Sequence, residues 1–72
     1  MNNLIMAKIQ LNGAPFEVKK GMNLNELLDN LKIANNKVAI ELNGTIAEKS
    51  KYSNIILKEN DKLEIVHFIG GG

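Results

Sequence analysis

The chain has no cysteine and a single histidine, and these two shortages remove most ordinary enzyme chemistry. Without cysteine there is no disulfide, thiolate ligand or thiol nucleophile, so the core must hold the fold without covalent help. A reducing cytoplasm fits that composition. His67 has no second histidine with which to share a metal and no thiol to form a dyad. No suitable nucleophile is visible beside it, and a structural or edge-facing place in the last apolar segment is the simpler reading. The carboxylates are spread along polar faces instead of being paired as acid and base.

Long apolar runs are missing too. None approaches the roughly 20 residues of a membrane span, and the N-terminus lacks the basic start and apolar stretch of a signal peptide. Nine basic and eight acidic residues give a net charge of +1 with no block of like charge, which argues against a phosphate-backbone binder. The expectation is a cytoplasmic protein with no metal, no bound cofactor, no nucleic acid partner and no membrane partner.

What is present is patterning. Seventy-two residues, 44% of them hydrophobic and 24% charged, suit one small globular domain that buries about 60% of its unfolded surface. Ala7, Ile9 and Leu11 alternate with Lys8 and Gln10 as in a half-buried strand. Asn12-Gly13 tolerates positive φ and predicts a tight hairpin, with Phe16 and Val18 pointing inward on the return and Pro15 at a strand start or sheet edge.

Asn23 followed three residues later by Glu26 has the form of a capping box. Leu24, Leu27, Leu28 and Leu31 then fall on one helical stripe. That helix should end before Asn35-Asn36. Val38, Ile40 and Leu42 form a third strand, closed by a second hairpin turn at Asn43-Gly44, with a short return over Thr45 to Ala47. The stretch from Glu48 to Asn54 is polar and irregular, with Tyr52 expected to cover an edge of the core. Ile55, Ile56 and Leu57 return to the core, and a turn at Glu59-Asn60-Asp61 precedes a last strand from Leu63 to Ile69.

The order β-β-α-β-β-β predicts an α+β fold of β-grasp type: a mixed sheet of four to five strands curled over one main helix. Residues 1–5 read as a loose extension, with Met6 an alternative native start, 6–69 as the domain and 70–72 as a flexible glycine tail.

Candidate chemistry concentrates at that tail. Gly70 and Gly71 lack Cβ atoms, so they can lie in a narrow channel and carry the Gly72 carboxylate to a distant active centre. A carboxylate is a poor electrophile and needs activation by another enzyme, so the domain itself needs no catalytic side chain. In the last strand, inward Leu63 and Ile65 leave Glu64, Val66 and Phe68 on the outer face, where exposed Val66 and Phe68 would form a docking patch beside the tail.

Three segments in this order resemble a known family: Val38-Ala39-Ile40-Glu41-Leu42-Asn43-Gly44, then Asn60-Asp61-Lys62-Leu63-Glu64-Ile65-Val66, then His67-Phe68-Ile69-Gly70-Gly71-Gly72. The chain resembles the ubiquitin-like sulfur carrier proteins, and among them the ThiS family of thiamin biosynthesis, over nearly its whole length from Met6. Asn60 stands where such carriers often have Gly, a conservative change at a turn that needs positive φ. The resemblance implies that an E1-like adenylyltransferase uses ATP to activate Gly72. Sulfur from a donor such as a cysteine desulfurase then gives a thiocarboxylate, and thiazole synthase accepts the sulfur. The carrier would be a co-substrate, not an enzyme, with Val66, Phe68 and Ile69 meeting partners. Rival readings are the small subunit of molybdopterin synthase, a ubiquitin-like modifier of lysines, and a plain β-grasp binding module such as a regulatory RNA-associated domain.

Overall fold

The computed structural model describes residues 5–68. Strands β1 (Met6–Leu11) and β2 (Ala14–Lys19) form an antiparallel hairpin. Its two-residue loop, Asn12-Gly13, has φ of 50° and 85°, the doubly positive type I′ geometry that matches strand twist. Ala7 and Ile9 face the core opposite Val18 and Phe16. Pro15 lies in β2 at the sheet edge, where a missing N–H breaks no ladder.

The helix α1 (Leu24–Asn30) starts with the expected reciprocal cap. The Glu26 N–H donates to Asn23 Oδ1 at 2.8 Å, and the Asn23 N–H donates to Glu26 Oε1 at 3.0 Å. Leu24, Leu27 and Leu28 are buried, while Leu31, at the C-cap, is partly so. The helix stops well before Asn35-Asn36 because its last carbonyls are taken up by a Schellman motif. The Ile33 N–H donates to Leu28 O at 2.9 Å and the Lys32 N–H to Asp29 O at 3.1 Å. Lys32 holds the left-handed position, with φ of 59°, where glycine is usual.

A short 3-10 turn (Asn35–Lys37) leads into β3 (Val38–Leu42). The second type I′ turn, Asn43-Gly44 with φ of 52° and 87°, returns the chain into β4, which is only Thr45–Ile46. Lys49–Asn54 then forms a 3-10 helix, not the irregular segment its polarity predicts. Tyr52 is a second correction. Instead of covering an edge it is fully buried in the core, carried inward from the 3-10 helix. Ile56 is a third: its backbone bridges Asn23, and strand alternation turns Ile55 and Leu57 inward and Ile56 out, leaving it 44% exposed.

The Tyr52 hydroxyl is buried without a hydrogen-bond partner among the described residues. Tyr52→Phe should therefore raise stability, by about 1 kcal/mol, because the substitution removes an unpaired polar atom and breaks no bond. Burial raises the phenol pKa above its ordinary value. Near pH 10 and above, the unfolded chain loses this proton while the folded chain keeps it, so stability falls as pH rises, by up to about 1.4 kcal/mol per pH unit. Melting curves of both proteins between about pH 9 and 11 check this: the gap in favour of Phe should widen, and a constant gap contradicts it.

Strand β5 (Lys62–His67) completes a five-stranded sheet of order β2-β1-β5-β3-β4. It runs parallel to β1 and antiparallel to β3. A mixed sheet with the last strand between the two hairpins, and one main helix against its inner face, is the β-grasp fold.

Candidate functional site at the C-terminal strand

The strand that leads to the glycines is fixed at several points by groups from both hairpin turns. The Asn12 side chain behaves as an extra strand residue: Oδ1 accepts from the Ile65 N–H at 2.7 Å and Nδ2 donates to Ile65 O at 3.2 Å. The Asn12 N–H donates to Leu63 O at 2.8 Å. On the other side, Asn43 exchanges bonds with Lys62, its N–H donating to Lys62 O and its Oδ1 accepting from the Lys62 N–H, both at 2.8 Å. Asn43 Nδ2 also donates to the buried Asp61 at 3.0 Å, whose other carboxylate oxygen accepts from the Lys58 N–H at 2.8 Å. Thus each Asn-Gly turn both closes its own hairpin and holds β5. Asn60, with φ of 72°, makes the turn before β5 left-handed, as its place in the sequence suggests.

Asn12→Gly keeps the positive φ and deletes only the staple. It should lower stability by about 1–2 kcal/mol, since the Ile65 N–H and C=O are left without partners. Faster amide exchange at Ile65 than in the parent is the specific readout; unchanged exchange there contradicts the staple.

The two faces of β5 differ. Leu63 and Ile65 enter the core, whereas Glu64, Val66 and Phe68 point outward, with Val66 57% and Phe68 56% exposed. The antiparallel register sets Ala39 opposite Val66 and Glu41 opposite Glu64. Ile46, 62% exposed, lies opposite Glu41 on β4. The Phe68 N–H donates to Lys37 O at 2.9 Å, extending the ladder past the end of β5. Lys49 crosses from the 3-10 helix: its Nζ donates to Val38 O at 3.0 Å and sits 5.3 Å from the centre of the Phe68 ring. That arrangement serves β3, whose edge outlasts the short β4, and places a cation over an aromatic face.

Val66 and Phe68 thus share the outer face. Ile69, Gly70, Gly71 and Gly72 lie outside the described residues. His67 is exposed at the end of β5, opposite Val38. Among the described residues no group of three or more His, Asp or Glu side chains is placed to hold a metal ion, and no helix is long and apolar enough to cross a membrane. Lys49, Ala39, Glu41 and Ile46 join the outer face although the sequence did not single them out for it. The alternation in 38–42 already turned Ala39 and Glu41 away from the core; the missing information was the register that sets them beside β5.

Comparison with known proteins bears on this arrangement. The family model described as "ThiS family" matches residues 9–72. The sulfur carrier protein ThiS of Bacillus subtilis (strain 168) is 38% identical over 65 residues, covering 89% of this chain and 98% of that protein. A thiazole synthase of Magnetococcus marinus is 45% identical over 65 residues; 90% of this chain is covered, yet the chain spans only 20% of that relative's length. A crystal structure of the thiamine biosynthesis protein ThiS from Geobacter metallireducens superposes with a TM-score of 0.77 at 35% identity, covering 90% of this chain and 99% of that one. A fold, a family model and full-length relatives agree, and the chain belongs to the ThiS family of β-grasp sulfur carriers.

Proposed function

We propose that this chain carries sulfur for thiazole formation in thiamin biosynthesis, as a thiocarboxylate on Gly72. The observation that carries the reading is the likeness to the B. subtilis carrier over 98% of that protein's length, within a family match that runs through Gly72. The chemistry begins with attack of the Gly72 carboxylate on the α-phosphorus of ATP in an E1-like adenylyltransferase, releasing pyrophosphate. The resulting acyl-adenylate is a mixed anhydride, so its carbonyl carbon has a good leaving group. The terminal sulfur of a persulfide, drawn from a donor such as a cysteine desulfurase, displaces AMP to give an acyl disulfide, and a thiol reductant cleaves its S–S bond to leave the thiocarboxylate. Thiazole synthase takes that sulfur in exchange for an oxygen atom from water or its own substrate, and the carrier returns as the carboxylate.

In this reading the chain is a cytoplasmic co-substrate. The nucleotide site and the sulfur-handling groups belong to its partners. Val66, Phe68 and Ile69 form the part of the domain that meets them, with Gly70 and Gly71 providing reach. Thiazole synthase as acceptor is supported by the M. marinus relative, in which a stretch like this chain is one fifth of a longer protein named for that enzyme.

Intact-mass measurement after incubation with the adenylyltransferase, ATP and a sulfur donor tests the reading. The expected result is a mass gain of one oxygen-to-sulfur exchange, located at Gly72 by fragmentation. An unchanged mass with a demonstrably active adenylyltransferase would refute it.

A further inference from the structure

The outer face carries a feature that stability alone does not explain. Glu41 and Glu64 stand directly opposite one another across β3 and β5, both exposed. At such positions Cβ atoms are about 5 Å apart and like charges destabilise the pair. Among the described residues neither glutamate has a cation within ion-pair distance; the one ion pair is Lys51 with Glu48 at 3.7 Å. Lys62 shares the outer face two residues before Glu64, beyond ion-pair distance of both carboxylates, and the neighbours on the other sides are apolar. Ile46 flanks Glu41 on β4, and the next outward row is Ala39 beside Val66. At the far end of the same strip lies Lys49, over Phe68. From the tail end, the strip therefore presents a cation, an apolar centre and a doubled negative charge, with Lys62 beyond it at the start of β5.

We propose that this face docks thiazole synthase, and that Glu41 and Glu64 together receive one cationic side chain of that enzyme. The proposal rests on the function given above and adds the chemistry of the contact. On that function the reactive carboxylate is that of Gly72, four residues beyond Phe68, a reach on the order of 14 Å when fully extended. An enzyme that holds Gly72 in its active centre must then lie against the end of β5. Once an apolar partner surface covers Val66, Ala39 and Ile46, the two carboxylates lose water and their repulsion grows, unless a positive charge is placed between them. A guanidinium satisfies both through charge-assisted bonds. The two ends differ, Lys49 standing over Phe68 at one and the paired carboxylates ahead of Lys62 at the other, so a complementary surface fits better in one direction.

Stability and binding should consequently move in opposite directions. The double substitution Glu41→Gln and Glu64→Gln should melt above the parent, because repulsion is removed, and should bind separately purified thiazole synthase about tenfold more weakly or worse. The salt dependence of binding should shrink in the same variant. Glu17→Gln with Asp29→Asn, an equal charge change at exposed positions on β2 and α1, is the control and should leave binding unchanged. Unchanged affinity of the double variant overturns the proposal, as does an equal loss in the control or a loss seen only with the adenylyltransferase. A parent chain that fails to bind thiazole synthase and gains no sulfur would overturn the function as well; a parent that binds and gains sulfur, with an unaffected double variant, overturns only this contact.

Discussion

Deletion of Gly72 is expected to abolish thiocarboxylate formation while leaving the melting temperature nearly unchanged. The two halves of this result have separate causes. The core among the described residues ends at Ile65, and an exposed terminus contributes few stabilising contacts, so the domain should not register the loss. Chemistry is different, because one residue fewer retracts the terminal carboxylate by about 3.5 Å in an extended chain. The adenylyltransferase must align that oxygen with the α-phosphorus, and a misplacement of about 1 Å already costs on the order of a hundredfold. Gly71 would become the terminus with an identical carboxylate, so only position is altered. Mass spectrometry of the truncated chain beside the full one checks this. Full conversion of the truncated chain would show that reach does not matter. A large fall in melting temperature would show that the residue is structural.

The second large effect concerns the core. Ile40→Ala should lower stability by about 2–5 kcal/mol, since a fully buried branched side chain leaves a cavity that its neighbours cannot fill. Ile40 is 0% exposed and stands directly opposite Ile65 on β5. Its carbonyl accepts from the Ala47 N–H at 2.8 Å, so β3 is held on both sides and cannot collapse into the gap. A domain of 72 residues has a total stability of only about 4–11 kcal/mol at the usual value per residue. The variant should melt at least about 8 °C lower, and much of it can be unfolded at growth temperature. Ile46→Ala, at a position 62% exposed, should stay within about 0.5 kcal/mol of the parent. Thermal and denaturant melts of the two variants decide the matter: equal losses would mean that burial does not rank these sites.

Much of the fold could be read from local pattern. Four leucines at helical spacing and the Asn23–Glu26 pair announce α1, and each Asn-Gly step announces a hairpin, because the responsible forces act within a few residues. The contacts that escaped are of long range. Asn12 meets Ile65 across 53 residues, and nothing near Asn12 reveals a second duty, since its turn already accounts for an asparagine. Tyr52 sits in a polar stretch with no apolar pattern of its own, and its burial depends on where α1 lies against the 3-10 helix. For the candidate site, alternation placed Glu64, Val66 and Phe68 on one face correctly, yet it gave no register. Without register, Glu41 and Glu64 are two unrelated surface charges, and Lys49 is one more solvated lysine.

The sheet order has a consequence for how the chain is made. Translation delivers the two hairpins first, and the strand that joins them, β5, last. A nascent chain that stops before Lys62 consists of a β1–β2 hairpin and a β3–β4 hairpin without the ladder that connects them, and an isolated hairpin is marginal in water. Folding of this domain thus waits for the residues immediately before the glycines. Ribosome products cut short ahead of β5 stay unfolded and open to proteases, so the population of folded molecules is enriched in chains synthesised up to the threshold of the tail.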